Sequence, residues 1–268
     1  MKFLVGDEFG LIKCVDVGKK LVVNKSGEMN KKNGVLSINN LIENNNQFLA
    51  VAHETNFYVL DWNSQQIKSQ PEIKAIKPFD VNSKILLTSQ VVKRTVDFSS
   101  VILARNDSKL NILQYDEDLN LKLENEIDIK TQKLELIKDG QTTQEIFCLF
   151  RGTPVSIFNL EKSEFTWRSK NVPNDEFNLK VPIWDVDVAF SEKNPNLFYT
   201  ATAYGEIRTY DKKVKPRPMS EKKVTERKIT RMLMSNCENY LTIGDNIGGL
   251  YMLDKRKSKL IFILFFIS

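Results

Sequence analysis

Residues 197–211 read LFYTATAYGEIRTYD. An apolar run from Leu197 to Thr202 breaks at Ala203-Tyr204-Gly205-Glu206, resumes at Ile207 and closes on Asp211. Two short runs rich in β-branched and aromatic residues around a glycine-containing turn form a β-hairpin pattern. A carboxylate at the end of the second run can accept hydrogen bonds from nearby backbone N–H groups and close the next turn.

The unit recurs along the chain. IKCVD ends at Asp16, FYVLD at Asp61, NILQYD at Asp116, VSIFN at Asn159 and LYMLD at Asp254; with Asp211 the spacings are 45, 55, 43, 52 and 43 residues. Six residues before these positions stand Gly10, Thr55, Thr153, Gly205 and Gly248, each at a hairpin. The third repeat departs, with Leu110 at that offset and its turn at Asn106-Asp107-Ser108. The runs KFLVG, FLAVA, VILA, IFCLF and YLTIG take the place of LFYTAT before the other hairpins. Further upstream, segments 35–38, 73–76, 133–137, 184–190 and 229–234 read as the innermost strand of each repeat, and 89–100 reads as an insertion in the third. A period near 40–45 residues, with a Trp-Asp-like pair ending the third strand, is that of a WD40 blade. The expected fold is therefore all-β, a WD40-type β-propeller of about six blades. It forms a single domain over 1–268, with 1–24 as a three-strand partial first blade and 25–268 as the further blades. The repeats are degenerate: no Gly-His pair occurs, and Trp184-Asp185 begins a blade instead of ending a third strand. Another antiparallel β fold is the alternative.

Composition agrees with a folded chain: 41% of the 268 residues are hydrophobic and 27% charged, which excludes a disordered or collagen-like protein. The opening MKFLVGDEFG lacks a charged segment followed by a long apolar run, so no secretory signal is expected. Cys14, Cys148 and Cys237 are odd in number and far apart, and read as buried reduced thiols. The apolar LIFILFFIS after Lys259 falls short of the ~20 residues of a membrane span and reads as a strand.

Catalytic patterns are not found. The single histidine, His53, would have to serve any Ser-His-Asp site or metal centre, and it sits at a hairpin. Neither G-x-x-x-x-G-K-[ST] nor G-x-G-x-x-G is present, and DNIGG at 245–249 reads as a turn. Asp185 and Asp187 share a strand face by period two and suit a salt-bridged structural role. No enzyme activity, cofactor, metal or small-molecule substrate is expected.

Charge is concentrated. Residues 212–231, KKVKPRPMSEKKVTERKITR, hold nine Lys or Arg and two Glu, a net +7 in a chain of net +5. A second cluster is Lys255, Arg256, Lys257 and Lys259. Both start at the loop between third and fourth strands of consecutive blades, hence on one face. An anionic partner follows, either RNA or an acidic protein surface. Few aromatics interleave the lysines, so phosphate contact outweighs base stacking.

Residues 167–185, WRSKNVPNDEFNLKVPIWD, are too polar for a plain strand, yet are punctuated by Trp167, Phe177, Leu179, Val181 and Trp184. An ordered, elaborated loop fits them. This segment resembles the "AKNV.ND…L..RVP.WD" stretch of the nucleolar WD-repeat factors that assemble the large (60S) ribosomal subunit. Lys170, Asn171, Val172, Asn174, Asp175, Leu179, Val181, Pro182, Trp184 and Asp185 match it, and Lys180 stands where the family has Arg. In the next stretch Tyr204, Arg208, Tyr210, Asp211, Arg217 and Pro218 match the family's "T.Y..(I/V)R.YD….RRP", and VGDEFGLIK resembles its start. The resemblance implies a seven-bladed, non-catalytic scaffold for ribosome biogenesis and rRNA processing. Such a scaffold sits on the pre-60S particle in the nucleus and nucleolus and is released by an AAA-type ATPase. It also implies a last blade and a basic tail that are missing here. The expected partner-binding residues are Lys170, Asn171, Asn174, Asp175, Lys180, Arg208, Lys213, Lys215 and Arg217, with Trp167 and Trp184 as supports. A generic WD40 adaptor, such as one presenting substrates to a ubiquitin ligase, is the alternative function.

Overall fold

The computed structural model describes residues 2–16, 21–26, 29, 34–43, 46–53, 56–61, 79–80, 86–93, 99–115, 121–129, 134–142, 144–257 and 259–265. Every named element is a β-strand, and consecutive strands pair antiparallel within small sheets. The chain divides into two compact units, Met1–Thr131 and Gln132–Ser268.

The first unit holds three sheets. β1 (Lys2–Gly6), β2 (Ile12–Asp16) and β3 (Leu21–Ser26) form a three-stranded sheet. β4 (Val35–Glu43), β5 (Asn46–His53), β6 (Asn56–Asp61) and β7 (Phe79–Asp80) form the second. β8 (Leu86–Lys93), β9 (Ser99–Arg105), β10 (Lys109–Tyr115) and β11 (Leu121–Asp128) form the third. The second unit holds three four-stranded sheets. The first comprises β12 (Leu134–Asp139), β13 (Glu145–Phe150), β14 (Ser156–Asn159) and β15 (Glu164–Arg168). The next comprises β16 (Asp185–Phe190), β17 (Leu197–Thr202), β18 (Glu206–Asp211) and β19 (Lys215–Lys223). The last comprises β20 (Ile229–Met234), β21 (Tyr240–Asp245), β22 (Gly249–Asp254) and β23 (Lys259–Phe265).

The sequence period is the sheet period. Asp16, Asp61, Asn159, Asp211 and Asp254 each end the strand that precedes the last of their sheet. The turn-closing role follows: Asn159, Asp211 and Asp254 accept the N–H of Lys162, Lys213 and Arg256, each at 2.9 Å through Oδ1. The second-strand hairpins repeat as well. Oδ1 of Asp7 accepts the N–H of Phe9 and Leu11, Oγ1 of Thr202 that of Tyr204 and Glu206, and Oδ1 of Asp245 that of Ile247 and Gly249. One acceptor thus holds a whole turn, and the residue three positions later takes positive φ: Gly10, Gly205 and Gly248. In the third repeat Ser108 does so with φ 63°, in the expected Asn106–Ser108 turn.

A second repeat is visible only in three dimensions. The register of first against second strands shifts by one residue between Val35 and Ser37, Leu86 and Thr88, Leu134 and Leu136, Asp185 and Asp187, and Ile229 and Arg231. A bulge at one position of five sheets adds twist at the same place each time.

In the second unit the middle sheet is covered on both faces, which explains why five consecutive residues of β17, from Phe198 to Thr202, are buried. Toward β12–β15, Phe147, Leu149, Val155 and Ile157 meet Val188, Phe198 and Tyr210. Toward β20–β23, Tyr199, Ala201 and Ile207 meet Ile229, Met232, Leu241 and Ile243. Asp185 and Asp187 staple these sheets. Asp185 accepts the N–H of Val155 at 3.2 Å and the hydroxyl of Thr200 at 3.2 Å, while Asp187 accepts the N–H of Met232 at 2.8 Å and pairs with Lys138 at 3.1 Å. The expectation that they share a strand face is corrected: the bulge between them sets Asp185 opposite Thr202 and Asp187 opposite Ala201, on the two faces of the sheet. Their structural role is met mostly by backbone N–H groups. Burial pushes the Asp185 carboxyl up, against the nearby Arg208 charge and its hydrogen bonds.

Several expectations need correction. The stretch 89–100 is no insertion: 89–93 belongs to β8, the first strand of its sheet, and Ser99–Ser100 begins β9. The expected innermost strand 73–76 lies outside the described residues, as do Thr55 and Asp116. The basic run is not one loop: 212–214 is the turn between β18 and β19, Lys215–Lys223 is the strand β19, with Lys215 and Lys223 exposed, and 224–228 connects it to β20. Cys14 and Cys148 are buried, but Cys237 is exposed, because it lies in the turn between β20 and β21. The apolar end does form a strand, β23, paired with β22.

Candidate functional site: the 169–184 loop and the basic strand beside it

The loop from Ser169 to Trp184 contains no strand yet is pinned throughout. Ser169 is buried, and its N–H and hydroxyl both donate to the carbonyl of Val155, at 3.1 and 2.8 Å. Asn171 spans the loop: its amide Nδ2 donates to the Val181 carbonyl at 2.7 Å while its Oδ1 accepts the Val172 N–H at 2.9 Å. Asp175 Oδ1 accepts from Phe177 and Leu179, and Asn174 Nδ2 donates to the carbonyl and side chain of Asn178, which sits at φ 61°. This is the acceptor-plus-left-handed-residue turn of the hairpins, built here without strands on either side.

Both ends are anchored by tryptophan. Trp167 packs edge-on to Phe198 and Tyr210, at 5.4 and 6.1 Å between centroids, and those two rings stack at 4.9 Å. Trp184 donates Nε1–H to Glu135 at 2.7 Å, and its ring lies 4.2 Å from both the Arg151 guanidinium and the Lys228 ammonium. The supporting role expected of both tryptophans matches these contacts.

The loop lies against the start of the basic strand. The Lys170 N–H donates to the Pro216 carbonyl at 2.8 Å, and Arg217 Nη1 donates to the Asn171 carbonyl at 3.1 Å. Lys170, Lys180, Lys213, Lys215 and Arg217 are all exposed, and among the described residues none is ion-paired with a carboxylate. Eight of the nine expected contact residues lie on these two segments, which meet through Lys170 and Arg217, and they do different work. The three polar ones, Asn171, Asn174 and Asp175, shape the loop, and the five cations face solvent.

Arg208 is the exception and a correction. It is 1% exposed, with Nε 2.6 Å from Glu221 and Nη2 3.4 Å from Glu206, on the sheet face that also holds Asp185. A guanidinium committed to internal carboxylates cannot also serve a partner. Hydrogen bonding to Glu221 and the Asp185 charge hold its pKa up against its burial. Period two along β18 puts Arg208 on the face with Tyr210, a signal the charge-based reading passed over.

Two apolar residues of the loop, Phe177 and Leu179, are 75% and 62% exposed. They stand on the turn braced by Asn174 and Asp175, which holds them in solvent. Among the described residues no group of three His, Cys, Asp or Glu side chains could hold a metal, and no helix is long and apolar enough to cross a membrane.

No established family profile matches the chain. Individual relatives do. Ribosome biogenesis protein nsa1 of Schizosaccharomyces pombe is 25% identical over 299 aligned residues, covering 97% of this chain and 74% of that protein. WD repeat-containing protein 74 of Homo sapiens is 35% identical over 109 residues, 40% of this chain and 28% of that protein. Ribosome biogenesis protein NSA1 of Meyerozyma guilliermondii is 47% identical over 53 residues, 19% of this chain. With its repeated four-stranded antiparallel sheets, the chain is of the WD-repeat class. Within that class it is a homologue of the Nsa1-type ribosome biogenesis proteins.

Proposed function

We propose that this chain is a non-catalytic scaffold in assembly of the large ribosomal subunit, docked on pre-60S particles in the nucleolus and released by an AAA-type ATPase. The observation that carries the docking part is the cluster of five exposed cations without carboxylate partners beside a loop that is rigid by its own hydrogen bonds. A braced loop loses little conformational entropy on binding, so its contacts convert efficiently into affinity. The likeness to proteins named for ribosome biogenesis supplies the process. Against rRNA the lysines would meet phosphate oxygens with little base preference, and each lost contact would lower the salt slope by about one.

The test is recovery of precursor particles with the tagged chain. Charge reversal of Lys213, Lys215 and Arg217 together should reduce recovery and flatten its salt dependence. Asn171→Ala with Asp175→Ala should reduce it by unbracing the loop. Loss with only the second pair points to a protein neighbour over RNA. Undiminished recovery with both removes this face as the docking site.

A further inference from the structure

The second unit carries an open cleft of about 520 Å³ that the docking face does not use. It lies where the first strands of the three sheets, β12, β16 and β20, run out into their turns. Its apolar wall is Val188, Ala189 and Phe190 from β16 with Met232, Leu233 and Met234 from β20. Leu233 is 69% exposed, although it stands on a first strand whose neighbour Met232 is buried. Two methionines give such a wall the adaptability to fit varied apolar side chains.

The polar lining has one dominant sign. Asp139, Glu192 and Glu238 outnumber the one cation of the lining, Lys138, whose ammonium is 3.1 Å from the carboxylate of Asp187, while the Lys255 charge lies beside Glu238. Glu238 is held by the Ser191 hydroxyl at 2.6 Å and by the N–H groups of Glu192 and Lys193, which keep it ionised below its ordinary range. Asp139 differs. Burial pushes its carboxyl up, against only its own N–H and the Lys138 charge. A half-buried carboxylate beside an apolar wall calls for a cation that brings its own aliphatic stem.

We infer that this cleft binds an extended segment of another protein in which a Lys or Arg adjoins apolar residues, the cation meeting Asp139 and the apolar side chains covering Leu233 and Met234. Three carboxylates at the rim disfavour a phosphate backbone, so the occupant is a peptide and not RNA. None of its lining residues belongs to the 169–184 loop or to β19, so either site can fail alone.

The experiment uses the 268-residue chain and a fluorescein-labelled hexapeptide of alternating Lys and Leu, followed by anisotropy at neutral pH. The peptide should bind while its Glu–Leu counterpart does not. Asp139→Asn and Leu233→Lys should each weaken binding about tenfold, whereas Lys213→Glu should leave it unchanged. Leu233 is exposed, so its variant keeps the fold, and thermal melts check both. Absence of binding, equal binding of the two peptides, displacement by oligouridylate, or wild-type affinity in both variants would each overturn the inference.

Discussion

At the residue scale the turns divide into those that tolerate a side chain and those that do not. Gly205 has φ 81°, and a Cβ there would collide with the carbonyl oxygen of Thr225. Gly152 has φ 85° but nothing within 4 Å of a Cβ. Gly152→Ala should therefore cost only the left-handed backbone, about 1 kcal/mol. Gly205→Ala adds a clash with backbone and should cost about 2–4 kcal/mol. Urea denaturation of the two variants side by side reads the difference; equal losses would show that the turn at Gly205 can give way. Asp245 makes a pH prediction. Burial pushes its carboxyl up, but the N–H groups of Gly249 and Ile247, the Tyr251 hydroxyl and the Arg227 charge pull it further, to a net value below the ordinary one. A carboxyl depressed in the folded state stabilises above its unfolded pKa of about 3.9 and loses that contribution as pH falls through the lower folded value. Asp245→Asn should cost about 1–3 kcal/mol near neutrality. It should also show a shallower loss of stability than the parent below pH ~4, seen in melting curves across pH.

At the element scale the loop between β15 and β16 is the least ordinary of the described segments. It replaces strand pairing with side-chain hydrogen bonds, so single polar residues carry what a ladder carries elsewhere. Asn171→Ala removes both the bond to the Val181 carbonyl and the acceptor for Val172. Limited proteolysis should then cut within 170–183 several times faster, while the melting temperature moves little, because the core shared by the sheets on either side contains none of these loop residues. This loop was legible as ordered and elaborated from its mixture of Asn, Asp, Pro and apolar residues. What could not be read was direction. Phe177 and Leu179 look like packing residues in sequence, but the hydrogen bonds of Asp175 fix a turn that aims them outward. In the opposite sense Arg208 looks like a surface cation and is buried, because its sheet neighbour Glu221 satisfies it across the β18–β19 ladder.

At the scale of the whole molecule the described sheets reuse one antiparallel plan, and the edge strand of a sheet presents unpaired backbone groups. β23 is apolar, pairs with β22 on one side, and among the described residues has no strand on its other side. Such an edge templates association. Ile261 is 47% exposed on it. Ile261→Lys should lower light scattering of the purified chain at high concentration, with a stability change within about 0.5 kcal/mol. An unchanged scattering profile would place the self-association elsewhere. The sequence alone determined the β class, the period, the glycine turns at Gly10, Gly205 and Gly248, and the Asn159, Asp211 and Asp254 that close their third strands. These are local: the turn residue types act through bonds to their own neighbours in the chain. Tertiary structure alone decided the bulge repeated in five first strands, the burial of Arg208, the outward Phe177 and Leu179, and the acidic cleft. Each depends on which residue of a distant strand stands opposite. A one-residue shift of register moves side chains to the other face of a sheet, and no period in a single sequence records where that shift falls.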